Sequence, residues 1–472
     1  MATPPPAVIP PERRIYANRT LNMRSIRAIG YDMDYTLIHY RVEEWERGAY
    51  EQARGSLAER GWPVEDLTFD PTTVIRGLTL DLELGNLVKP TRFGYVIKAS
   101  HGTKALDYDR LRRAYHGTVV NLAEDRFVFL NTLFSLSEAA LYAQLIDLLD
   151  AGLLPERMSY ADVYRTVRST IDEAHMEGTL KDQITTDPER FVVPDPEMVT
   201  ALVDQQRAGK RLLLITNSGW DYTRQMMPYA FDAHLPDGLT WRDLFEVVIV
   251  AASKPAFFEG SRPLLEVVDE ERGLLSPHPG PAKKGRVYFG GNAIDLEGAL
   301  GISGDQILYV GDHLFSDVHV SKTLLRWRTA LILRELESEV RDQNEFVPTE
   351  VRLQALMEKK ELMQRQLSLL RLDRQHAKSD GKDYRDLTSA VDSLHRDLSR
   401  LDEEIAPLAR AAGEIRNDAW GPLMRSGNDK SLFARQVERY ADVYTSRASN
   451  FLFETPYAFL RAARGSLPHD PA

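Results

Sequence analysis

The chain has 472 residues, enough for roughly three domains or one large core with insertions. Its 59 Lys+Arg against 70 Asp+Glu leave a formal net charge of −11, which lacks the basic footprint of a nucleic-acid binder, and the absence of cysteine removes disulfides, thiolate metal sites and a thiol nucleophile. No run approaches the roughly 18 consecutive apolar residues of a membrane span, so neither nucleic acid nor membrane is expected as a partner, and the cysteine-free composition suits a reducing, cytoplasmic setting.

The first residues, MATPPPAVIPPERR, carry proline where an export signal carries an apolar stretch, so residues 1–17 read as a flexible proline-rich arm. Ile26–Tyr31 (IRAIGY) is the first short apolar run. Arg211–Ile215, Val247–Ala251, Val287–Phe289, Ile307–Val310 and Thr329–Leu333 follow it, each with the pattern of a strand buried on both faces. Helical signals separate them: Pro196 stands near a helix start and Gly209 just past its end, framing a helix from Asp195 to Arg207. Alternating strands and helices predict an α/β protein with a doubly wound, Rossmann-like parallel sheet built from residues 18–40 and 190–337.

The interval between the first two runs is far longer than an ordinary connection, so residues 41–189 are expected to be an inserted cap. It holds a glycine-punctuated strand-like stretch, Arg76–Gly102, and an apolar helical one, Leu133–Leu149. Beyond Leu336 the composition turns to charged helix. Leu387, Val391, Leu394, Leu398, Leu401 and Ile405 alternate four and three apart, and Leu356, Met363 and Leu370 recur every seven, which predicts an antiparallel hairpin over 338–410 broken near Ser379-Asp380-Gly381. Residues 411–472 are expected to form a helical segment packed on the core.

The polar residues at the strand ends carry the chemistry. Asp32 and Asp34 close the first run as DMDYT, at the sheet edge where α/β proteins bind ligands; one carboxylate suits nucleophilic attack and the next proton transfer. Thr216-Asn217-Ser218 close the second and offer hydroxyl, amide and backbone N–H groups to phosphate oxygens. Lys254 follows the third and balances charge. Gly311-Asp312, with Asp317 five residues on, supplies carboxylates for a hard cation such as Mg²⁺. Nothing matches a Walker loop or a dinucleotide-binding glycine fingerprint.

The order DxDxT, Thr-Asn-Ser, Lys and GDxxxxD resembles the haloacid-dehalogenase superfamily of phosphohydrolases. The wording DMDYTL, ITNS, SKP, GGN and YVGDHLFSD, with NRTLNM, RGLTLDLELGNL, NTLF and SLFARQVERYADVYTS, is similar to the cytosolic purine 5′-nucleotidase family over nearly the whole chain. The resemblance implies a Mg²⁺-dependent enzyme hydrolysing 6-oxopurine nucleoside 5′-monophosphates such as IMP and GMP, with nucleoside phosphotransfer as a side reaction. Asp32 is then the nucleophile that forms a phosphoaspartate and Asp34 the acid/base, with Thr216 and Lys254 completing the catalytic set. Asp32, the backbone of Asp34 and Asp312 would hold the metal, and Asp317 would support them from behind. Phe134 would stack on the base, Arg168 and Asp172 would read its edge, His175 would lie against the nucleoside, and Lys181, Asn217 and Ser218 would bind the substrate.

Arg168 and Asp172 are equally an i, i+4 pair, which read without the resemblance is a helix-surface salt bridge. Met176 stands where regulated members of the family have a tyrosine. Thr323 replaces a basic effector residue, so polyphosphate activation should be weakened, whereas Asn131 matches the effector-pocket asparagine. The resemblance also implies a homodimer or homotetramer. The alternatives are a related phosphomonoesterase with another substrate, and a non-catalytic oligomeric scaffold built on the hairpin.

Overall fold

Runs such as RLLLI and VVIV have no polar face to offer water, and they form the centre of a sheet covered on both sides. The computed structural model describes residues 8–154, 157–176, 179–463 and 465, with the side chains of 174–176 and 179 outside the description. Strands β1 (Ala28–Tyr31), β2 (Arg211–Ile215), β3 (Val247–Val250), β4 (Arg286–Gly290), β5 (Ile307–Gly311), β6 (Arg328–Ile332) and β7 (Val443–Thr445) lie in the order β7-β6-β5-β1-β2-β3-β4, each parallel to its neighbour. The ten-stranded sheet is completed by antiparallel edges: Tyr16–Ala17 on β7, and Leu264–Asp269 followed by Leu274–Pro277 on β4. This is the doubly wound α/β class that the sequence predicts. Because β1 lies between β2 and β5, the strand order reverses around it, and its carboxyl end opens on the crevice where such sheets bind ligands.

Between β1 and β2 the chain leaves the sheet and returns. It crosses at His39–Tyr40 and at Val192–Val193, two short strands paired antiparallel, with Val192 opposite Tyr40 and Val193 opposite His39. The excursion contains helix α1 (Val42–Glu59), an antiparallel five-stranded sheet formed between Thr79 and Phe129, and helices α2 (Leu136–Asp150), α3 (Tyr160–Met176) and α4 (Thr179–Thr186). The apolar face of α1 consists of Trp45, Ala49, Tyr50, Ala53 and Leu57, all buried, and α1, α2 and α3 pack on one another. Helix α5 (Pro196–Arg207) starts on the proline that the sequence marks, Gly209 beyond it adopts φ +80°, and helix α6 (Trp220–Phe231) follows β2.

Two expectations need correction. The arm 1–17 is not wholly flexible: residues 1–7 lie outside the description, but Pro11–Arg13 form a helical turn and Tyr16–Ala17 pair with β7. The segment 411–472 is not simply helical. Val443–Thr445 is a buried parallel strand of the main sheet, held because Asp442 accepts hydrogen bonds or ion pairs from the backbone N–H of Thr329 (3.0 Å), Lys322 (2.5 Å) and Arg328 (3.0 Å).

The sheet, its insertion and residues 423–463 form one compact unit; residues 338–422 form a second. In the second, helices α7 (Leu336–Ser379) and α8 (Arg385–Glu414) are joined by a turn in which Gly381 takes φ +67°. Leu367, Val391 and Leu398 are buried between them, with Met363, Leu370 and Leu394 packed alongside, along the heptads that the sequence shows. No helix among the described residues is long and apolar enough to cross a membrane.

Under the sheet, Trp327 is fully buried and stacks edge-on to Phe258 at 5.6 Å, which in turn meets Tyr309 of β5 at 5.2 Å. Truncating this ring leaves a cavity that close-packed neighbours only partly collapse into. Trp327→Ala is expected to destabilise the main unit by about 3–5 kcal/mol, read as a lowered urea midpoint at an unchanged m-value.

Candidate active site

The site is built at the carboxyl ends of β1, β2, β3 and β5. Past β1 the backbone N–H of Asp32 still bonds to Val310 O at 2.9 Å, and then the chain turns sharply, with Met33 O accepting from the N–H groups of Leu37 (2.9 Å) and Ile38 (3.0 Å). Tyr35 takes φ +57° in that turn, a left-handed conformation that costs a bulky residue energy and persists only where packing enforces it. Here the packing is aromatic: Tyr35 meets Tyr40 at 5.4 Å, Trp45 at 5.8 Å and Phe134 at 4.8 Å.

Lys254 is the hub. Its ammonium lies 2.7 Å from Asp32 Oδ1, 2.8 Å from Asp317 Oδ1 and 3.0 Å from the hydroxyl of Tyr309, all of them buried. Tyr309 donates its own proton to Ile215 O at 3.0 Å, so it can present only lone pairs to the lysine. Asn217 braces the same residue from the other side, accepting from Lys254 N–H at 2.6 Å and donating to Lys254 O at 3.1 Å. The sequence reading gives Asn217 to substrate; in the structure its planar side-chain amide is engaged with the Lys254 backbone, because an amide both donates and accepts as a peptide does.

Asp312 completes the acidic cluster. Carboxylate oxygens of Asp32, Asp312 and Asp317 lie within 4.8 Å of one another, all buried. Gly311 makes this possible, since a Cβ there would stand 2.5 Å from Asp317 Oδ2. Arg76, fully buried, donates to the backbone O of Asp312 at 3.2 Å and pairs with Glu335 at 2.6 Å. Burial pushes the Asp32 carboxyl up to about 7 against the pull of Lys254, with Asp317 and Asp34 adding to the rise. Asp312 is raised well above the carboxylate range by burial and by the charges of Asp32 and Asp317. Burial also works against the Lys254 charge, but Asp317 and Asp32 hold its pKa well above the usual lysine value. Three buried carboxylates against one ammonium leave an excess of negative charge in a place built of oxygen ligands, which is the donor set of a hard divalent cation.

Asp34 faces a different environment. Ser218 Oγ donates to its Oδ2 at 2.6 Å and Tyr40 to its Oδ1 at 2.7 Å. The Tyr40 and Tyr222 hydroxyls are 2.9 Å apart, Lys181 lies over the Tyr222 ring at 5.0 Å, and Lys181 Nζ donates to Ser218 Oγ at 3.3 Å. Thr216 is fully buried and its Oγ1 accepts from Ser218 N–H at 3.0 Å, fixing the turn that aims Ser218.

The insertion contributes the rest. Phe134, partly exposed, sits edge-on to Tyr35 and Trp45 next to the Asp34 turn. Arg168 pairs with Asp172 at 3.0 Å and with the buried Glu138 at 2.8 Å, both Arg168 and Asp172 being half exposed. The side chain of His175, like that of Met176, lies outside the described residues. Asn131 lines a surface cleft with Phe129 and Phe315, and Thr323 is exposed on the short helix Val320–Leu325.

Several participants are invisible to motif reading. Tyr40 and Tyr222 belong to no pattern. Tyr309 is detectable as the one polar side chain within the apolar run ILYV. Glu46 was detectable too, because it falls on the α1 face of Ala49, Tyr50, Ala53 and Leu57; it is fully buried, accepts from Ser137 N–H at 2.9 Å, and burial pushes it up to about 8, with the Ser137 N–H opposing and Glu138 adding.

Comparison with known proteins adds three findings. The family model of the 5′-nucleotidase family matches residues 15–472. The human protein 5′-nucleotidase domain-containing protein 2 (Homo sapiens) is 28% identical over 454 residues, spanning 93% of this chain and 81% of that protein. Among solved structures, an archaeal β-phosphoglucomutase from Pyrococcus sp. strain ST 04 is similar over 65% of this chain and 86% of its own (9% identity, TM-score 0.30). A haloacid dehalogenase-like family hydrolase from Streptococcus pneumoniae is similar over 66% of this chain and 86% of its own (11% identity, TM-score 0.25).

Crowding like charges away from water sacrifices stability for a function. Asp312→Asn is therefore expected to raise the melting temperature in EDTA by roughly 2–6 °C and to abolish any rise on adding Mg²⁺, both read by scanning calorimetry.

Proposed function

The chain belongs to the 5′-nucleotidase family, and from that premise we propose that it is a Mg²⁺-dependent phosphohydrolase of purine nucleoside 5′-monophosphates, of the 6-oxopurine kind, working through a phosphoaspartate. That it is a phosphoric monoester hydrolase follows from the family; the metal, the purine and the intermediate are this reading's own. The observation that carries it is the contrast between two neighbouring carboxyls. Asp32 is pinned against Lys254, within the acidic cluster, whereas Asp34 is turned away from that cluster and held by two hydroxyl donors.

The contrast assigns the steps. An oxygen of Asp32 attacks phosphorus as the bond to the ribose O5′ breaks, and Asp34 gives its proton to the departing alkoxide, a poor leaving group without one. Asp34 then takes a proton from water, whose oxygen attacks the phosphoaspartate and frees Asp32 and inorganic phosphate. A nucleoside 5′-hydroxyl in place of that water gives phosphotransfer. Lys254 neutralises charge on the attacking carboxylate and on the phosphoryl group. Asp32, the backbone carbonyl of Asp34 and Asp312 would hold Mg²⁺, which when bound polarises the phosphoryl oxygens, and Asp317 fixes Lys254. Thr216, Ser218 and Lys181 are suited to the remaining phosphate oxygens.

The purine assignment draws on the insertion. Phe134 stands next to the Asp34 turn, in ring contact with Tyr35 and Trp45, and is the aromatic side chain that this reading gives to stacking on the base. Arg168 and Asp172 lie on the same insertion, their charges matched to each other until a base edge competes for them. Glu138 holds Arg168 in place from below.

Phosphate release from a panel of nucleoside 5′-monophosphates, with Mg²⁺ and with EDTA, tests the whole reading. IMP and GMP are expected to lead the panel only with metal, and Asp32→Asn is expected to lose at least about a thousandfold in kcat while keeping its fold. Metal-independent release, or turnover by Asp32→Asn, overturns it. The base reading has its own test: Asp172→Ala is expected to raise KM for IMP about tenfold or more and to leave p-nitrophenyl phosphate nearly unchanged. Equal effects on both substrates remove Asp172 from recognition.

A further inference from the structure

The helical unit carries more apolar surface than its own hairpin uses. Helix α8 presents no large apolar side chain to solvent, but α7 presents Val347 (50% exposed), Val351 (63%), Leu362 (69%), Leu369 (57%) and Leu372 (47%). These residues are not scattered. Val351, Ala355, Glu358, Leu362, Arg365, Leu369 and Leu372 follow one another at spacings of 4, 3, 4, 3, 4 and 3, and all of them are exposed. That is an a/d repeat over about three heptads, the shortest length at which such a repeat argues for a coiled coil. At 100° per residue its mean direction is about 135° round α7 from that of Met363, Leu367 and Leu370, which face α8. Helix α7 therefore has two seams, and its partner helix fills only one.

What covers the second seam is written in its two charged members. Glu358 and Arg365 lie seven residues apart, on either side of Leu362. If two copies of α7 paired in parallel and in register, Glu358 would face Glu358 and Arg365 would face Arg365, two like-charge contacts in an apolar stripe. If they paired antiparallel about Leu362, each Glu358 would lie beside the partner's Arg365, twice over, and Val351 would meet the Leu369–Leu372 end. A polar pair inside a seam lowers stability but selects partner and direction. We propose that the outer face of α7, centred on Leu362, is a self-association surface that pairs two copies of this chain antiparallel, with the Glu358–Arg365 contacts setting the direction. The proposal is independent of the catalytic reading, since no residue of the seam belongs to the site.

The test is the molar mass of the full chain, by sedimentation equilibrium across a concentration series. Wild type is expected to assemble, and Leu362→Glu to halve the mass of the assembly while far-UV circular dichroism and phosphatase activity stay as they were. Glu358→Arg and Arg365→Glu are each expected to weaken the dissociation constant about tenfold or more, and the double reversal, Glu358→Arg with Arg365→Glu, to restore it to within about threefold. A wild-type chain that is monomeric at about 50 µM overturns the proposal, as does an unchanged mass for Leu362→Glu, which would put any association on another face. Single reversals without effect, beside a dissociating Leu362→Glu, overturn the antiparallel pairing, because parallel pairing merely exchanges one repulsion for another. Loss of helicity in Leu362→Glu alone leaves the charge reversals, which change no apolar contact, to decide.

Discussion

One ammonium group organises the catalytic half of this molecule. Lys254 is buried, touches Asp32 and Asp317 and rests on Tyr309, and every strand end around it is shaped to keep it there. Asn217 at the end of β2 holds its backbone, Tyr309 within β5 supports its side chain, and Gly311 admits the carboxylate that pairs with it. Without that positive charge three carboxylates would be buried together, each disfavouring the ionisation of the others. The sheet topology serves this electrostatic requirement, because only at the switch point do the ends of β1, β2 and β5 converge.

Asp34 is governed from elsewhere. Its two oxygens are held by Ser218 at the end of β2 and by Tyr40, and Tyr40 belongs to the strand pair through which the chain enters and leaves its insertion. Asp34 is thus oriented by the connection through which the chain enters and leaves the insertion that carries Phe134 and Arg168. Asp32 and Asp34 stand two residues apart, yet one answers to the sheet and the other to the insertion's root. That separation gives a physical reason why two aspartates in a single turn can hold different roles.

How far the sequence could be read depends on what each element rests upon. Strands β1, β2, β3, β5 and β6 were legible because a strand buried on both faces leaves little choice of residue, and the residues just beyond the carboxyl ends were legible because polarity there breaks an apolar run; β4 was found by its apolar run, although its Arg286 and Phe289 are exposed. Strand β7 was not legible. Val443-Tyr444-Thr445 is short and its place in the sheet is set by Asp442, whose ties reach back to Lys322, Arg328 and Thr329, more than a hundred residues away. Tyr16–Ala17 pairs only because β7 is there, so missing one meant missing the other. In the site, Asp32, Lys254 and Asp312 announce themselves by position, whereas Tyr40 and Tyr222 belong to no motif and join the site through contacts that only the fold makes, Tyr40 with Asp34 and Tyr222 with Tyr40 and Lys181. Asn217 adds a role that its position alone does not announce: its side-chain amide is engaged by the backbone of Lys254 next door.

The hairpin poses the opposite problem: the repeat of its inner seam is visible in the sequence, but the apolar stripe on the outside of α7 has no partner helix within the hairpin. A helix that buries one stripe against a single partner needs a polar back, and α8 has one. Helix α7 does not, although its sequence is free to carry lysine or glutamate at Val351, Leu362 and Leu369, where nothing in the hairpin rests on them. Solubility argues against leaving such a stripe bare over about three heptads. The stripe also carries one acid, Glu358, four residues before Leu362 and one base, Arg365, three residues after it. Left alone in water, Glu358 and Arg365 gain almost nothing from lying on this face; set beside their counterparts in a second copy they become the feature that distinguishes one direction of pairing from the other.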